Sequence, residues 1–283
     1  MNSLTITLWV LAASILLSFF YGLFTRNYST VDRLWSVLPV VYVIIWLPDF
    51  IANPRYIIAV ILVLLWGARL TTNFAIKGGY AFSFKKGFTG EDYRWEILRK
   101  KIPNRFLFEL FNLSFISAFQ LILIFMFTLP LYYYGAITAP ISVLEIILYA
   151  LHLLLLSCEL WSDILQLRFY RRRYIEPWNT ERRYMLGFNT FGPWKYSRHP
   201  NYVCEMGQWV VIFLLLAAAS GGLHFSGIGA AVLIILFAGS TVFAESITSL
   251  KYGEYKTWQK LSSAWLPLKP VDSGRRKAFL DLD

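Results

Sequence analysis

The stretch GPWKYSRHPNYVCEMGQW, Gly192 to Trp209, sets Lys195, Arg198, His199, Asn201, Tyr202 and Glu205 directly against the start of an apolar segment. Ionisable groups at the edge of a hydrocarbon layer are costly unless they bind something. The stretch therefore reads as a membrane boundary that carries a functional site. Pro200 is tolerated in a first helical turn, which makes Asn201 and the residues after it the opening of a helix. Asn201 and Glu205 are four apart and share a face of it. A helix N-terminus preceded by Lys195 and Arg198 suits a phosphate.

The rest of the chain agrees with a membrane setting. Of its 283 residues 57% are hydrophobic and 16% charged, and mean hydropathy is +0.51. A soluble domain carries about 25% charged residues. A spanning helix needs roughly 20 apolar residues, and seven runs approach or reach that length: 4–24, 34–51, 56–74, 107–129, 141–160, 203–219 and 227–243. They do not alternate as barrel strands do. The first run has no basic residue before it and reads as a helix, not as a cleaved leader. The predicted fold is an all-α transmembrane bundle of about seven helices, with cytoplasmic loops and an interfacial C-terminal helix. It is read as one domain over residues 1–270, followed by a cytoplasmic tail over 271–283.

Net charge is +10. The basic residues fall between runs three and four (Lys77 to Arg105), between runs five and six (Arg168 to Arg198) and in the tail (Lys251 to Lys277). The alternate loops, 130–140 and 220–226, carry no charge. The positive-inside rule then predicts an outside N-terminus and a cytoplasmic C-terminus. Such loops account for the basic excess without nucleic acid, and no nucleic-acid-binding motif is present. Cys158, Cys204 and three histidines form no disulfide framework and no metal-ligand spacing.

Other polar residues lie in or beside the apolar runs: Asp32, Arg33, Arg69, Gln120, Glu159, Asp163 and Glu245. As a set they predict a cavity open to the cytoplasm, because so many lipid-facing charges would be too costly. Each alone has a plainer reading, as a snorkelling cation or a tie between helices. Glu159 and Asp163 are four apart on one face, with Gln166 near it. The segment from Arg168 to Trp194 reads as interfacial, and GEDYRW as a turn into a short helix broken at Gly90.

These motifs resemble the steroid 5-alpha-reductase-like membrane family, in its bacterial branch. YSRHPNYVCE looks like its signature. VDRLW with Asp32 and Trp35, WGARL from Trp66 to Leu70, Gly90 to Arg94, Gln120 to Pro130, the set Glu159, Asp163 and Gln166, and the closing EYKTWQKLSSAWLP follow in the family's order. The pattern departs in three places: Pro193 replaces a usual Leu, Cys204 a usual Gly, and Gln166 follows Asp163 one residue later than usual. The resemblance implies NADPH-dependent reduction of a C=C bond conjugated to a carbonyl in a lipid-like substrate. It implies a cofactor pocket of Arg69, Asp163, Arg198, His199, Asn201, Tyr202 and Glu205, with Arg168 or the Arg171–Arg173 run meeting the 2′-phosphate. Hydride addition moves charge onto the carbonyl oxygen, so a donor must face that oxygen; the candidates are Asp32 and Tyr42. Asp32 can instead pair with Arg33 or Arg26 as an anchor. Trp35 and Trp66 are candidate walls of the site, with core packing as the alternative.

The C-terminal third also resembles isoprenylcysteine carboxyl methyltransferases, through GPW, RHPNY and Glu245, although Ser246 stands where that family has a second Glu. An S-adenosylmethionine-dependent methyltransferase is therefore one alternative. A transporter is another, although matching halves with broken helices are absent.

Overall fold

The computed structural model describes residues 2–85, 87–267 and 273–281. Lys86, Lys269 and the expected domain boundary at 270 lie outside them. The described chain is helical apart from a two-residue hairpin, Phe82–Ser83 with Gly87–Phe88, and one bridge. Seven helical segments are long and apolar enough to cross a bilayer: residues 3–25, 30–50, 54–76, 105–135, 143–172, 200–220 and 225–251. The protein is a multi-pass membrane protein. It folds as two compact units, residues 1–149 with 209–232, and residues 150–208 with 233–283.

In the first unit, α1 (Ser3–Thr25) shows why the solvent must be lipid. Asn2 caps it by accepting from Thr5 N at 2.8 Å, and Arg26 ends it in the left-handed region with its N–H on Gly22 O. The buried face is Ser3, Thr7, Leu11, Ser14, Ser18 and Gly22. Trp9, at 65% exposure, and Phe24, at 78%, face outward. A helix that buries small polar residues and exposes large apolar ones is packed for hydrocarbon, where close backbone approach drives association.

The second span breaks into α2 (Thr30–Trp35) and α3 (Leu38–Phe50), and α4 (Pro54–Ile76) follows. Gly67 of α4 lets α3 approach, since a Cβ there would sit 2.6 Å from Val40 Cγ2. The loop carries α5 (Tyr93–Lys101), capped by Asp92 as the turn before it predicts. The fourth span holds α6 (Arg105–Phe111), a π-helical run Asn112–Phe119, α7 (Gln120–Thr128) and α8 (Pro130–Gly135). The π-helical run has no signal in the hydropathy; Asn112 in it donates to Phe19 O at 3.3 Å and to Glu109 Oε2 at 3.0 Å.

Two spans outlast their apolar runs. α9 (Val143–Arg172) continues twelve residues past Leu160, so Glu159 and Asp163 lie within it, and residues 168–172 of the expected interfacial segment form its C-terminal end. After α10 (Arg182–Met185) and α11 (Pro200–Ser220), α12 (Ile228–Lys251) likewise continues past Phe243 and encloses Glu245. Charge ends an apolar run without breaking a helix, because Glu, Arg and Gln are good helix formers.

In the second unit the tail is more than an extension. α13 (Tyr255–Leu261) and α14 (Ser273–Asp281) bury Tyr255, Trp258, Phe279 and Leu280 in one cluster with Leu186 and Phe188.

Candidate functional site

The second unit gathers most of the implied cofactor residues. As the proline position predicts, α11 begins at Pro200, with Asn201 and Tyr202 in its first turn and Glu205 one turn on. The segment leading in is held by the tail: Arg198 N donates to Ser263 O at 2.9 Å and His199 N to Ala264 O at 3.0 Å. These bonds fix the backbone of residues 197–199 before the helix starts.

Glu245 is the hub. It accepts from Arg198 Nε at 2.6 Å and Nη2 at 3.2 Å, and from Gln259 Nε2 at 2.7 Å, and its Oε1 lies 3.0 Å from His199 Nε2. Arg198 also donates to the carbonyls of Gln259 and Ser262. Its guanidinium is thus engaged by Glu245 and two carbonyls of the tail. His199 stacks on Tyr202 with ring centroids 5.0 Å apart, and Tyr202 meets the edge of Phe237. Among the cations considered for a phosphate, Arg173 donates to Gly187 O and Tyr252 Oη and Arg172 lies over Trp178, whereas Arg168 and Arg171 are exposed.

Glu159, Asp163 and Glu205 are buried. Gln208 Nε2 donates to Glu159 Oε2 at 2.6 Å, which ties α9 to α11 within this unit. Three buried acceptor atoms on these two helices have no hydrogen-bond donor: Gln166 Oε1, Asn201 Oδ1 and Gln208 Oε1. A buried polar atom left in that state costs about 1–3 kcal/mol, so it calls for a ligand or ordered water. Among the described residues no group of His, Cys, Asp and Glu has metal-site geometry.

Asp32, Trp35, Tyr42 and Arg69 belong to the first unit. Asp32 does not pair with Arg33 or Arg26. Its Oδ2 accepts from Trp95 Nε1 at 2.8 Å, with Arg94 Nη2 3.9 Å from Oδ1. Arg33 is buried instead among carbonyls, donating to Gly79 O at 2.8 Å and to Gly90 O. Asp92 N donates to Ser29 Oγ, and Tyr28 N to Glu91 Oε1. The motifs around Asp32 and around residues 90–94, some sixty residues apart, therefore form one knot. Burial pushes the Glu91 carboxyl up, held back by Tyr28 N–H and Arg99. For Asp92 burial acts in the same direction but Arg94 outweighs it, leaving the carboxyl below its ordinary range.

Trp35 is half-buried, 6.0 Å from Phe127 between ring centroids, and Trp66 packs edge-on against Trp209 at 4.9 Å. Arg69 is buried in α4. Tyr42 is fully buried, and its hydroxyl has no hydrogen-bond partner.

Reading along the chain named Glu245, Glu159 and Gln166 as polar groups but assigned them no role, and missed Gln208 and Gln259. Glu245 meets Arg198 across 47 positions, a pairing without any local signal.

No solved structure matches this chain. It is similar to a protein of Schizosaccharomyces pombe, described as "Uncharacterized protein C594.04c", with 31% identity over 281 residues, covering 89% of this chain and 78% of that protein. The family described as "Protein of unknown function (DUF1295)" matches residues 18–263, from within the first span to Ser263, whose carbonyl accepts from Arg198 N. Matched over most of its length, the chain belongs to the DUF1295 family.

Proposed function

We propose that this protein is a membrane-embedded, NADPH-dependent reductase of a C=C bond conjugated to a carbonyl in a lipid-like substrate, similar to steroid 5-alpha-reductases. The observation that carries the reading is the set of buried acceptors without donors, Asn201 Oδ1, Gln166 Oε1 and Gln208 Oε1, in the unit that also holds Asp163, Glu205, His199 and Tyr202. Acceptors of that kind fit the amide and hydroxyl donors of a dinucleotide, and the exposed Arg168 and Arg171 fit its phosphates. Bound there, the cofactor would supply a hydride. The protein's own part is orientation: Glu245 holds His199, and the tail holds the strand before it. The candidates for the donor to the substrate's carbonyl oxygen are Tyr42, whose hydroxyl has no hydrogen-bond partner, and Asp32, whose Oδ2 accepts from Trp95. The orientation that accompanies this reading is an outside N-terminus and a cytoplasmic C-terminus. Reporter fusions at the two ends should give opposite signals, and equal signals would overturn it.

One observation favours a methyltransferase as the second reading. Four buried carboxylates, Glu159, Asp163, Glu205 and Glu245, lie in the same unit, and Arg198 is already bound to one of them. Buried carboxylates suit the cationic sulfonium of S-adenosylmethionine. The two readings separate on thermal stabilisation of the purified protein by NADPH, NADH and S-adenosylmethionine, because a ligand that binds only the folded state raises Tm with occupancy. NADPH alone is expected to raise it, and Asn201→Ala and Asp163→Ala should abolish the rise while leaving the fold largely intact. A rise with S-adenosylmethionine alone would establish the methyltransferase. No rise with any of the three would overturn both readings and leave a transporter or a degenerate enzyme.

A further inference from the structure

The loop between the third and fourth spans carries an apolar point that the fold does not cover. Phe82–Ser83 pairs antiparallel with Gly87–Phe88, Phe82 opposite Phe88, and Phe84 and Lys85 stand in the turn between them. Phe84 is 100% exposed and Phe82 57%. Their rings meet edge-on at 5.7 Å, and Phe82 meets Phe88 at 5.4 Å. Gly, Asn, Asp and Ser are the usual residues of a tight turn. Two uncovered aromatic rings there are costly in water, and neither belongs to a spanning helix.

What the turn faces follows from how it is held, all within the first unit. Phe88 N donates to Tyr21 Oη at 2.9 Å, and the two rings meet edge-on at 6.1 Å. Gly87 lies so close that a Cβ there would sit 2.8 Å from the same hydroxyl. Asn27 Nδ2 donates to Phe88 O at 3.0 Å, and the Arg33 guanidinium lies 4.3 Å over the Phe88 ring. The hairpin is thus fixed to α1 at Tyr21, one turn before the helix ends at Thr25. The 23 residues of α1 rise about 34 Å, against about 30 Å of hydrocarbon, so one turn from its end is the hydrocarbon edge. Phe20 and Phe24, on either side of Tyr21 in the chain, are 46% and 78% exposed, as the lipid-facing surface of a span is. A hairpin held at that level stands beside lipid.

We propose that this hairpin dips into the bilayer interface, with the Phe82 and Phe84 rings at the acyl boundary and the Lys85 ammonium among lipid phosphates. Lys85 is exposed beside Phe84, and a long lysine stem lets the charge stay at the headgroups while the rings sink. The anchor has a structural consequence. Asn27 also donates to Gly90 O at 3.1 Å, and Arg33 to Gly79 O and Gly90 O, so the lipid contact fixes the depth of the whole knot around Asp32. The inference does not depend on the reductase reading.

The test uses the full chain in phosphatidylcholine–phosphatidylglycerol nanodiscs, with the photoreactive p-benzoyl-phenylalanine in place of Phe84, of Phe82 or, as the lipid-facing reference, of Phe24. Adducts are identified by mass spectrometry after illumination. Position 84 is expected to give lipid adducts at about a third or more of the yield at position 24, as a side chain at the acyl boundary should. A smaller yield would show the turn in water, and cross-linked chains in place of lipid adducts would show a second copy covering it; either overturns the proposal. Phe84→Asp should lower the lipid adduct of the probe at position 82 about tenfold, because a buried aromatic ring is replaced by a charge that stays in water. An unchanged yield at position 82 in that variant would overturn the proposal as well.

Discussion

Glu245→Ala is expected to destabilise the protein by about 3–5 kcal/mol, the usual loss when one partner of a buried ion pair is removed and the other is left behind. The side chains of Arg198 and Glu245 are only 9% and 11% exposed, and the carboxylate accepts from Arg198, Gln259 and the His199 ring side. Alanine strands Arg198 on two carbonyls and frees His199 to turn. Stability and ligand response should therefore fall together, with NADPH-dependent stabilisation lost. Glu245→Gln keeps the shape and an acceptor, so the expected loss is smaller, about 1–3 kcal/mol. Denaturation of both variants checks this. An alanine variant within about 1 kcal/mol of the parent would mean that the hub behaves as an exposed pair does.

Glu145→Ala is expected to have an effect of the same size with a different signature. Glu145 opens α9 and accepts from Ser142 N at 2.8 Å, Ser142 Oγ at 3.0 Å and Tyr134 Oη at 2.7 Å. Arg55 Nε lies 3.1 Å from its Oε1, and both side chains are 1% exposed. Arg55 also donates to Ile137 O, Ala139 O and Pro140 O, so the pair pins the uncharged loop between α8 and α9. Removing the carboxylate leaves a buried guanidinium and a buried phenol short of an acceptor, a loss of about 3–5 kcal/mol. None of the residues in this network is an implied cofactor residue, so NADPH should still raise Tm by the parent's increment. A variant that keeps its stability, or that loses the NADPH response while folded, contradicts this separation.

These expectations show where linear reading reaches its limit. The seven spans were legible because the cost of polar groups in hydrocarbon is a property of each segment. The start of α11 was legible too, since a proline and its neighbours act within one turn. The ends of α9 and α12 were not, because hydropathy measures affinity for lipid and not the hydrogen-bond ladder that carries a helix beyond it. The partners of Asp32 were also missed: Arg33 and Arg26 are near in sequence, yet Trp95 and Arg94 are near in space.

The linear order of residues was enough to establish an all-α, multi-pass membrane protein and to mark its polar residues as the place to look. Those properties sum over local segments. Which cation is engaged and which exposed, which carboxylate holds His199, and which helix the hairpin leans on emerged with the packing. A hydrogen bond depends on ångström distances between residues tens of positions apart, and no local sum contains them.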